Sequence, residues 1–435
     1  MIYSFSAFIL MQLQEALGYF MIGCLHDAFD NDNSSKKISF RKMLIQVFNA
    51  GSSSIKFALY QHQSKLKLLK GNLEKIGEAS SILSYQTSSS PSQKIELPDG
   101  CQNHKEGIQK ILDIFDQEKN SPRSADLIVH RVVHGGTKYR HASLLDQEVK
   151  QFIIDMIPLA RTHHPASLAC IEEITEHFPE IPQSVVFDTS FHQTLPEYAW
   201  RYALPRKISD EYSIRRYGFH GISHQSLVKQ AASFLKTPVN KLNLITIHLG
   251  NGASISAIKK GICVDTTMGM TPLEGLVMGT RPGDLDPGIL TLLARKGWNQ
   301  EALETMLNQD SGMKGLCGTN DFREILQNKE EGNEEAEMAL ELYCYRVRKT
   351  IGSFSTVIGP VDALDFTGGV GENVPLVRER SVRGMEWMNI QLDPDMNDHA
   401  EAPCAIHSKD SQTKILVLPS EEEWEMASQA AELIL

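Results

Sequence analysis

The sequence predicts an α/β protein assembled from two halves built alike, and three observations carry that expectation. Apolar runs of strand length alternate along the chain with amphipathic helical patterns. Leu44–Phe48 opens onto Asn49-Ala50-Gly51-Ser52-Ser53-Ser54 and returns as Ile55–Tyr60, which reads as strand, turn, strand. Much later Leu244–Leu249, Gly250-Asn251-Gly252-Ala253-Ser254 and Ile255–Ile258 repeat the same grammar.

The remaining elements follow in order. Helical periodicity is expected over His104–Glu118, Glu148–Leu159 and Glu334–Ile358, and strands over Leu127–Val133 and Ser184–Phe187. Ala363–Thr367 reads as a strand meeting the turn Gly368-Gly369-Val370-Gly371-Glu372-Asn373, with a helix after it. Lys414–Leu418 reads as a strand, and Glu421-Glu422-Glu423 opens a terminal amphipathic helix whose first-turn carboxylates suit the helix dipole. Ser80–Gln93, rich in Ser, is expected to be a surface loop, and Lys329–Glu337 an acidic solvated stretch.

At 435 residues the chain has room for two or three domains. With 41% apolar and 22% charged residues it fits a globular protein. A net charge of −11 speaks against nucleic acid or an anionic membrane surface as partner, so an anionic substrate would need a locally basic pocket. Seven scattered cysteines without a CxxC pair argue against a disulfide framework or zinc ribbon, and a cytoplasmic location is the simplest expectation. Ile2–Leu13 is apolar, but no Lys or Arg precedes it and it is too short to cross a bilayer. Residues 1–42 are therefore read as an N-terminal extension, untranslated or without order, with Met43 as the start of the protein proper.

Glycine- and serine-rich turns let backbone amides approach phosphate oxygens. Asn49–Lys56 suits that task or a plain tight hairpin, and it is no Walker A loop because Lys56 falls inside the following strand. Recurrence of the design at Gly250–Ser254 and Gly368–Asn373 favours three turns converging on one nucleotide at the carboxyl edges of the strands. Arg131, in His130-Arg131-Val132-Val133-His134-Gly135-Gly136, and Arg281, in Gly279-Thr280-Arg281-Pro282-Gly283-Asp284, present planar forks matched to carboxylate and phosphate. Each alone could be a structural ion-pair partner; together, near glycines in an acidic chain, they point to an anion pocket. Asp188 follows a strand and fits either a turn or a group that orients an acceptor oxygen or a metal. His220 and His224 have the i, i+4 spacing of a zinc pair, but Gly221 replaces the HExxH glutamate, and donation to a transferring phosphoryl group suits His220 better. His163-His164-Pro165 is open between metal site, anion contact and helix end. One of Glu421, Glu422 and Glu423 could serve magnesium, which takes few protein carboxylates when bound to a nucleotide.

Taken together, Asn49–Lys56, His130–Gly136, Phe187–Gln193, Arg216–Gly221, His248–Ser254, Met278–Arg281 and Phe366–Asn373 closely resemble, in order, the acetate kinase family of short-chain carboxylate kinases. The resemblance runs from about Met43 to the C-terminus. It implies a duplicated actin-like ATPase fold of the sugar kinase and heat-shock ATPase superfamily, with two domains around a cleft. Residues 43–190, completed by a C-terminal helix at about 421–435, would form the first domain, and 191–420 the second, nucleotide-binding one. It further implies a homodimer that transfers a phosphoryl group from ATP to acetate, giving acetyl phosphate and ADP, with magnesium or alternatively manganese.

By matching position, Arg131 and Arg281 would hold the carboxylate and the transferring phosphoryl group, and His220, with Arg281, would stabilise the transition state. Asp188 would position acetate or the metal-bound phosphate, and Asn49 and Glu422 would arrange the metal. Val133, Phe219 and Pro272 would line the acyl pocket. Lys56, His163, His248, Leu249, Gly250, Asn251 and Gly252 would contact phosphates; Asp321, Phe322, Arg323, Gly369, Val370, Gly371, Glu372 and Asn373 would hold the nucleoside. The chain departs from the family at Thr162, where an apolar Leu is common, and at Lys314 and Cys317. Thr162 keeps a propionate or butyrate kinase open as an alternative, and an inactive nucleotide-binding regulator stands as a third reading, which the intact site residues oppose.

Overall fold

Two mixed β-sheets organise the chain, and their central strands are wired identically. The computed structural model describes residues 42–117, 125–161 and 163–435, so the expected extension lies outside the described residues except for Lys42. Met43–Leu435 form one compact unit.

The first sheet contains β1 (Leu44–Ala50), β2 (Ser54–Gln61), β3 (Leu66–Glu74), β4 (Ser81–Thr87), β5 (Ser90–Leu97), β6 (Leu127–Val132), β7 (Ser143–Leu144) and β8 (Gln183–Phe187). Its order is β5-β4-β3-β2-β1-β6-β8-β7. The second contains β9 (Asn243–Leu249), β10 (Ala253–Lys259), β11 (Ile262–Thr266), β12 (Ala363–Thr367), β13 (Cys404–Ala405) and β14 (Lys414–Val417), in the order β11-β10-β9-β12-β14-β13. In each sheet a three-stranded antiparallel meander leads, through its first strand, into two parallel strands, and a short antiparallel strand closes that edge. That correspondence is the duplication the repeated strand-turn-strand grammar predicts.

The sequence expectation fails at two places. Gly368–Asn373, expected to be a turn ahead of a helix, is itself a short helix directly after β12. Ser80–Gln93 is no loop: it supplies β4 and the first half of β5. Along β4, Ser81, Leu83, Tyr85 and Thr87 are buried while the residues between them are partly or fully exposed. The serines that suggested a loop are consistent with half-solvated strands near an outer edge, where one face needs no apolar side chains. Lys329–Glu337 spans the end of the helix Phe322–Glu330 and the start of Glu334–Ile358, and it is largely solvated, with Ala336 buried.

One helix is shared by both sheets. Gly221–Phe234 places Ile222 in the apolar cluster of β1, β6 and the C-terminal helix Glu422–Ala431, and turns Leu227, Val228 and Ala231 toward β9, β12 and β14. The C-terminal helix packs on β1, β6 and β8 of the first sheet and runs beside Gly221–Phe234, where Lys229 Nζ meets Glu425 Oε1 at 2.6 Å. Phe191 and Leu195, just beyond residue 190, pack in the second sheet's cluster. The six cysteines among the described residues are free thiols, and no helix there is long and apolar enough to cross a membrane.

Asp365, in the middle of β12, is fully buried, and neither carboxyl oxygen has a hydrogen-bond partner in the structure. Burial pushes its pKa well above the usual carboxylate value, so as pH rises through the ordinary aspartate range the unfolded chain gives up its proton before the folded one does, and stability falls. Asp365→Val should therefore raise the unfolding free energy at pH 7 by about 1–3 kcal/mol, with a smaller gain at pH 4. Urea denaturation at both pH values checks this; a loss of stability at pH 7 would show that the carboxyl is satisfied.

Candidate active site

The carboxyl ends of the parallel strands in both sheets open onto one polar cavity of about 410 Å³. Asn49, at the end of β1, Lys56 in β2 and Arg131 in β6 line it from the first sheet. His248, Gly250 and Asn251 line it from β9 and its turn, Gly368 and Gly369 from the start of the short helix after β12, Ser420 from the loop after β14 and Glu422 from the first residue of the C-terminal helix. Ligands of open α/β sheets bind at such strand ends. All three glycine-rich turns singled out in the sequence contribute.

Arg131 is fixed by its neighbours. Its Nε and Nη2 donate to the two oxygens of Asp188, the former at 3.1 Å, and its Nη1 donates to Asn49 Oδ1 at 3.1 Å. Burial works to lower the Arg131 pKa, but Asp188 and, less strongly, Glu422 and Glu423 outweigh it and hold the pKa above the ordinary value. Asp188 is 2% exposed, so this two-point contact sets the plane of the guanidinium.

Arg281 differs. Its Nη1 donates to the Pro272 carbonyl at 2.7 Å, and among the described residues no carboxylate forms an ion pair with it. Burial lowers its pKa to about 10. A partly buried cation without a counter-charge is costly unless an anion supplies one.

His220 brings the two arginines to a common centre. It caps the helix Gly221–Phe234 with a backbone in the left-handed region (φ 55°), a strained conformation for a non-glycine residue. Gly221 N–H donates to the Asp188 carbonyl at 2.9 Å, and a Cβ on Gly221 would stand 2.1 Å from that oxygen. Only glycine lets the helix start so close to Asp188. Across the cavity, the position of a Cβ on Gly252 lies 2.8 Å from Arg281 Nη2 and 3.1 Å from His220 Nε2, so the missing side chain leaves room for both groups.

The histidines here are neutral. Burial first, with the arginines or neighbouring imidazoles adding to it, pushes the His220 pKa well below 6.5 and brings His163 to about 4. His248 also falls to about 4, through burial and then Lys56. Its Nδ1 pairs with Ser223 Oγ at 2.8 Å and its ring lies 4.4 Å from that of His220. His220 and His224 do not face a shared metal position: both bond the Ser254 hydroxyl, at 2.9 and 2.8 Å.

A divalent cation fits the donor set near Glu422. That carboxyl is largely buried, burial pushes its pKa up against the pull of Arg131 and Lys56, and the neutral His248 stands 4.0 Å away. Glu422 and Asn49 are hard oxygen donors on one cavity. Among the described residues no cluster of three or more His, Cys, Asp or Glu could hold a metal by itself, which suits a cation carried largely by a nucleotide.

Other candidates are placed less directly. Val133 and Phe219 share a buried apolar cluster, and Pro272 is tied to Arg281 through its carbonyl. The side chains of Leu249, Val370 and Phe322 pack in the core, Phe322 against Tyr343, and none of the three lines the cavity. Asp321 caps the helix Phe322–Glu330 and pairs with the exposed Arg323, and neither lines the cavity. Glu372 accepts from Gly368 N and Ser420 N, both at 3.0 Å, clamping the two turns together, while Asn373 Nδ2 donates to Gly369 O at 2.9 Å. Gly371 is buried within the short helix Gly368–Asn373. Lys314 pairs with Asp310 and Cys317 donates to the Met313 carbonyl, both local helix contacts. Thr162 lies outside the described residues. Sequence reasoning missed Ser254 as the bridge between two histidines, Ser420 as a cavity wall, and Asn320, whose amide donates to Asn251 Oδ1 at 2.9 Å. Only Ser254 lay within a quoted motif, and no spacing rule marks it.

Two like-wired α/β sheets with an anion-shaped cleft at their strand ends define the duplicated actin-like ATPase class. The chain belongs to the acetokinase family, whose pattern matches residues 44–428. An acetate kinase of Sulfurovum sp. (strain NBC37-1) is 45% identical over 399 residues, covering 90% of this chain and 99% of that protein. One of Nitratidesulfovibrio vulgaris is 43% identical over 393 residues, covering 88% and 97%. Among solved structures, Porphyromonas gingivalis acetate kinase superposes with TM-score 0.84 at 38% identity, covering 90% of this chain and 100% of that one. A propionate kinase of Francisella tularensis gives 0.85 at 37%, with the same coverage.

Gly221→Ala should reduce activity more severely than Gly352→Ala, a helical site where an added Cβ meets nothing within 4 Å. The clash with the Asp188 carbonyl must separate His220 from Arg131. Comparing turnover and thermal midpoints of the two variants checks this; equal turnover would show that the close approach is dispensable.

Proposed function

We propose that this protein transfers the γ-phosphoryl group of ATP to acetate, reversibly, giving acetyl phosphate and ADP. The observation that carries the reading is Arg281: a partly buried cation without a carboxylate partner, meeting His220 over Gly252 beside a cavity lined by glycine-rich turns. Membership in the acetokinase family and the acetate kinases among its relatives support it.

In this reading an acetate oxygen attacks the γ-phosphorus in line, the new O–P bond forms as the bond to the ADP oxygen breaks, and no covalent enzyme intermediate is needed. The spreading charge on the equatorial oxygens meets Arg131, Arg281 and the neutral imidazole of His220. Asp188 keeps the Arg131 fork in plane, and Val133, Phe219 and Pro272 shelter the methyl group. His163, His248, Lys56 and the backbones of Leu249–Gly252 face phosphates, while the turn Gly369–Asn373 and the segment Asp321–Arg323 lie toward the nucleoside. Glu422 and Asn49 would hold magnesium, or manganese, which when bound neutralises phosphate charge. Residues 43–190 with the C-terminal helix, and 191–420, act as the two lobes of the cleft.

Trapping acyl phosphate with hydroxylamine tests the reading. With ATP and magnesium, kcat/KM should be highest for acetate among acetate, propionate and butyrate, and no product should form without an acid. Arg131→Ala and Arg281→Ala should each lower kcat by about 10²–10³ or more while the fold persists by circular dichroism. Near-wild-type turnover in both variants would remove the assigned roles. A propionate maximum would favour the second reading, to which the Francisella tularensis propionate kinase points.

We also propose self-association through the helix Gly288–Arg295. Its sequence GILTLLAR is mostly apolar, yet none of its residues is buried, and Ile289, Leu292 and the nearby Trp298 are exposed. A second copy of this chain would cover that face. Sedimentation should give a dimer that Leu292→Glu weakens; a wild-type monomer at micromolar concentration would refute it.

A further inference from the structure

A hydrogen-bonded chain leads from His220 into the interior of the second half. His220 Nδ1 lies 2.9 Å from Ser254 Oγ, Ser254 Oγ lies 2.8 Å from His224 Nε2, and His224 Nδ1 lies 2.8 Å from Thr246 Oγ1. Thr246, His224 and Ser254 are fully buried. Thr246 and Ser254 stand on adjacent strands, β9 and β10, and His224 on the helix that both sheets share. None of the three lines the cavity.

A neutral imidazole carries one proton, so whichever nitrogen bonds the chain decides what the other offers. Two directions are self-consistent. Running inward, His220 Nδ1–H donates to Ser254, Ser254 to His224 Nε2, and His224 Nδ1–H to Thr246, whose own proton then turns to the Ser256 carbonyl at 3.5 Å. That last contact is at the limit of a hydrogen bond. His220 Nε2 would then present a lone pair to phosphoryl oxygens, which is repulsive. Running outward, Thr246 O–H donates to His224 Nδ1, His224 Nε2–H to Ser254, and Ser254 O–H to His220 Nδ1, and only the long Ser256 contact is lost. His220 Nε2 then carries the proton on the side where Arg281 and the Gly252 turn converge.

We infer that Thr246, His224 and Ser254 are positioning residues that hold His220 as its Nε2–H tautomer, so that a neutral imidazole donates to the transferring phosphoryl group without giving up its proton. The inference rests on the phosphoryl-transfer reading for its purpose, but its two observables separate from it.

The first is the ¹⁵N spectrum of histidine-labelled protein with ADP, magnesium, acetate and aluminium fluoride, a mimic of the phosphoryl group in transfer. His220, assigned by its loss in His220→Asn, should show a protonated Nε2 and an unprotonated Nδ1; the reverse pattern overturns the inference. The second is Thr246→Val, which keeps the shape and removes the hydroxyl proton at the buried end. It should lower kcat about tenfold, less than deletion of a direct transition-state donor, with KM for ATP and acetate within about twofold. Thr246→Ser should restore kcat. Unchanged kcat in Thr246→Val, or no recovery in Thr246→Ser, overturns the relay while wild-type hydroxamate formation leaves the reaction standing. Absence of hydroxamate in the wild type would instead remove the reaction.

Discussion

The site depends on the bond from Gly221 N–H to the Asp188 carbonyl. Asp188 ends the parallel core of the first sheet, and Gly221 begins the helix that packs on both sheets. Through that one contact the carboxylate that holds Arg131 and the imidazole of His220 are set by adjacent backbone atoms rather than by long side chains. The left-handed backbone of His220 follows from it, because the chain must turn sharply to bring a helix start against a strand end. Strain of this kind persists only where surrounding packing over-determines it, and Ile222, two residues on and buried with Val47 and Met426, supplies that packing.

The same constraint shapes the electrostatics. Arg131 is balanced by Asp188, while Arg281, on the second half, is not. An anion between them would meet one arginine already committed in geometry and one whose charge is still uncompensated. Adding protonated histidines to that cleft would bury more positive charge than the nearby carboxylates could offset. Burial and the arginines keep His163, His220 and His248 neutral instead, leaving them as hydrogen-bond donors or acceptors whose role is fixed by tautomer.

Much of this was legible in the sequence because glycine and serine turns between apolar strands have a local cause. The turns at Gly51, Gly250 and Gly368 needed no knowledge of tertiary contacts, and they brought Asn49, Lys56, His248 and Asn251 with them. Arg131 and Asp188 were visible as polar residues at strand ends. What stayed hidden depends on contacts between segments far apart in the chain. β4 and β5 looked like a loop because β4 buries only alternate residues and β5 buries none. Ser254 as a bridge requires a helix and a strand to meet over one hydroxyl. Phe322 sits in a motif beside Asp321, yet its ring belongs to the core, a distinction that only packing makes.

Duplication explains why a glycine-rich strand-turn-strand unit occurs twice, and the cross-strand pairs behind each turn show how the halves have diverged. Asn49 faces Lys56 across β1 and β2, and His248 faces Ser254 across β9 and β10. Each pair precedes its glycine-rich turn at the corresponding place in the meander. The first half has an amide and an ammonium there, the second an imidazole and a hydroxyl. Stacking a second lysine at the His248 position would place another cation beside a ring 4.4 Å away whose neutrality the site requires. A hydroxyl behind that turn is small enough to reach both His220 and His224, which a longer polar side chain could not do from the same strand position without displacing the helix. The different polar pairs behind the two turns therefore follow from one scaffold and one limit: how much unbalanced charge a buried cleft can hold before its ligand arrives.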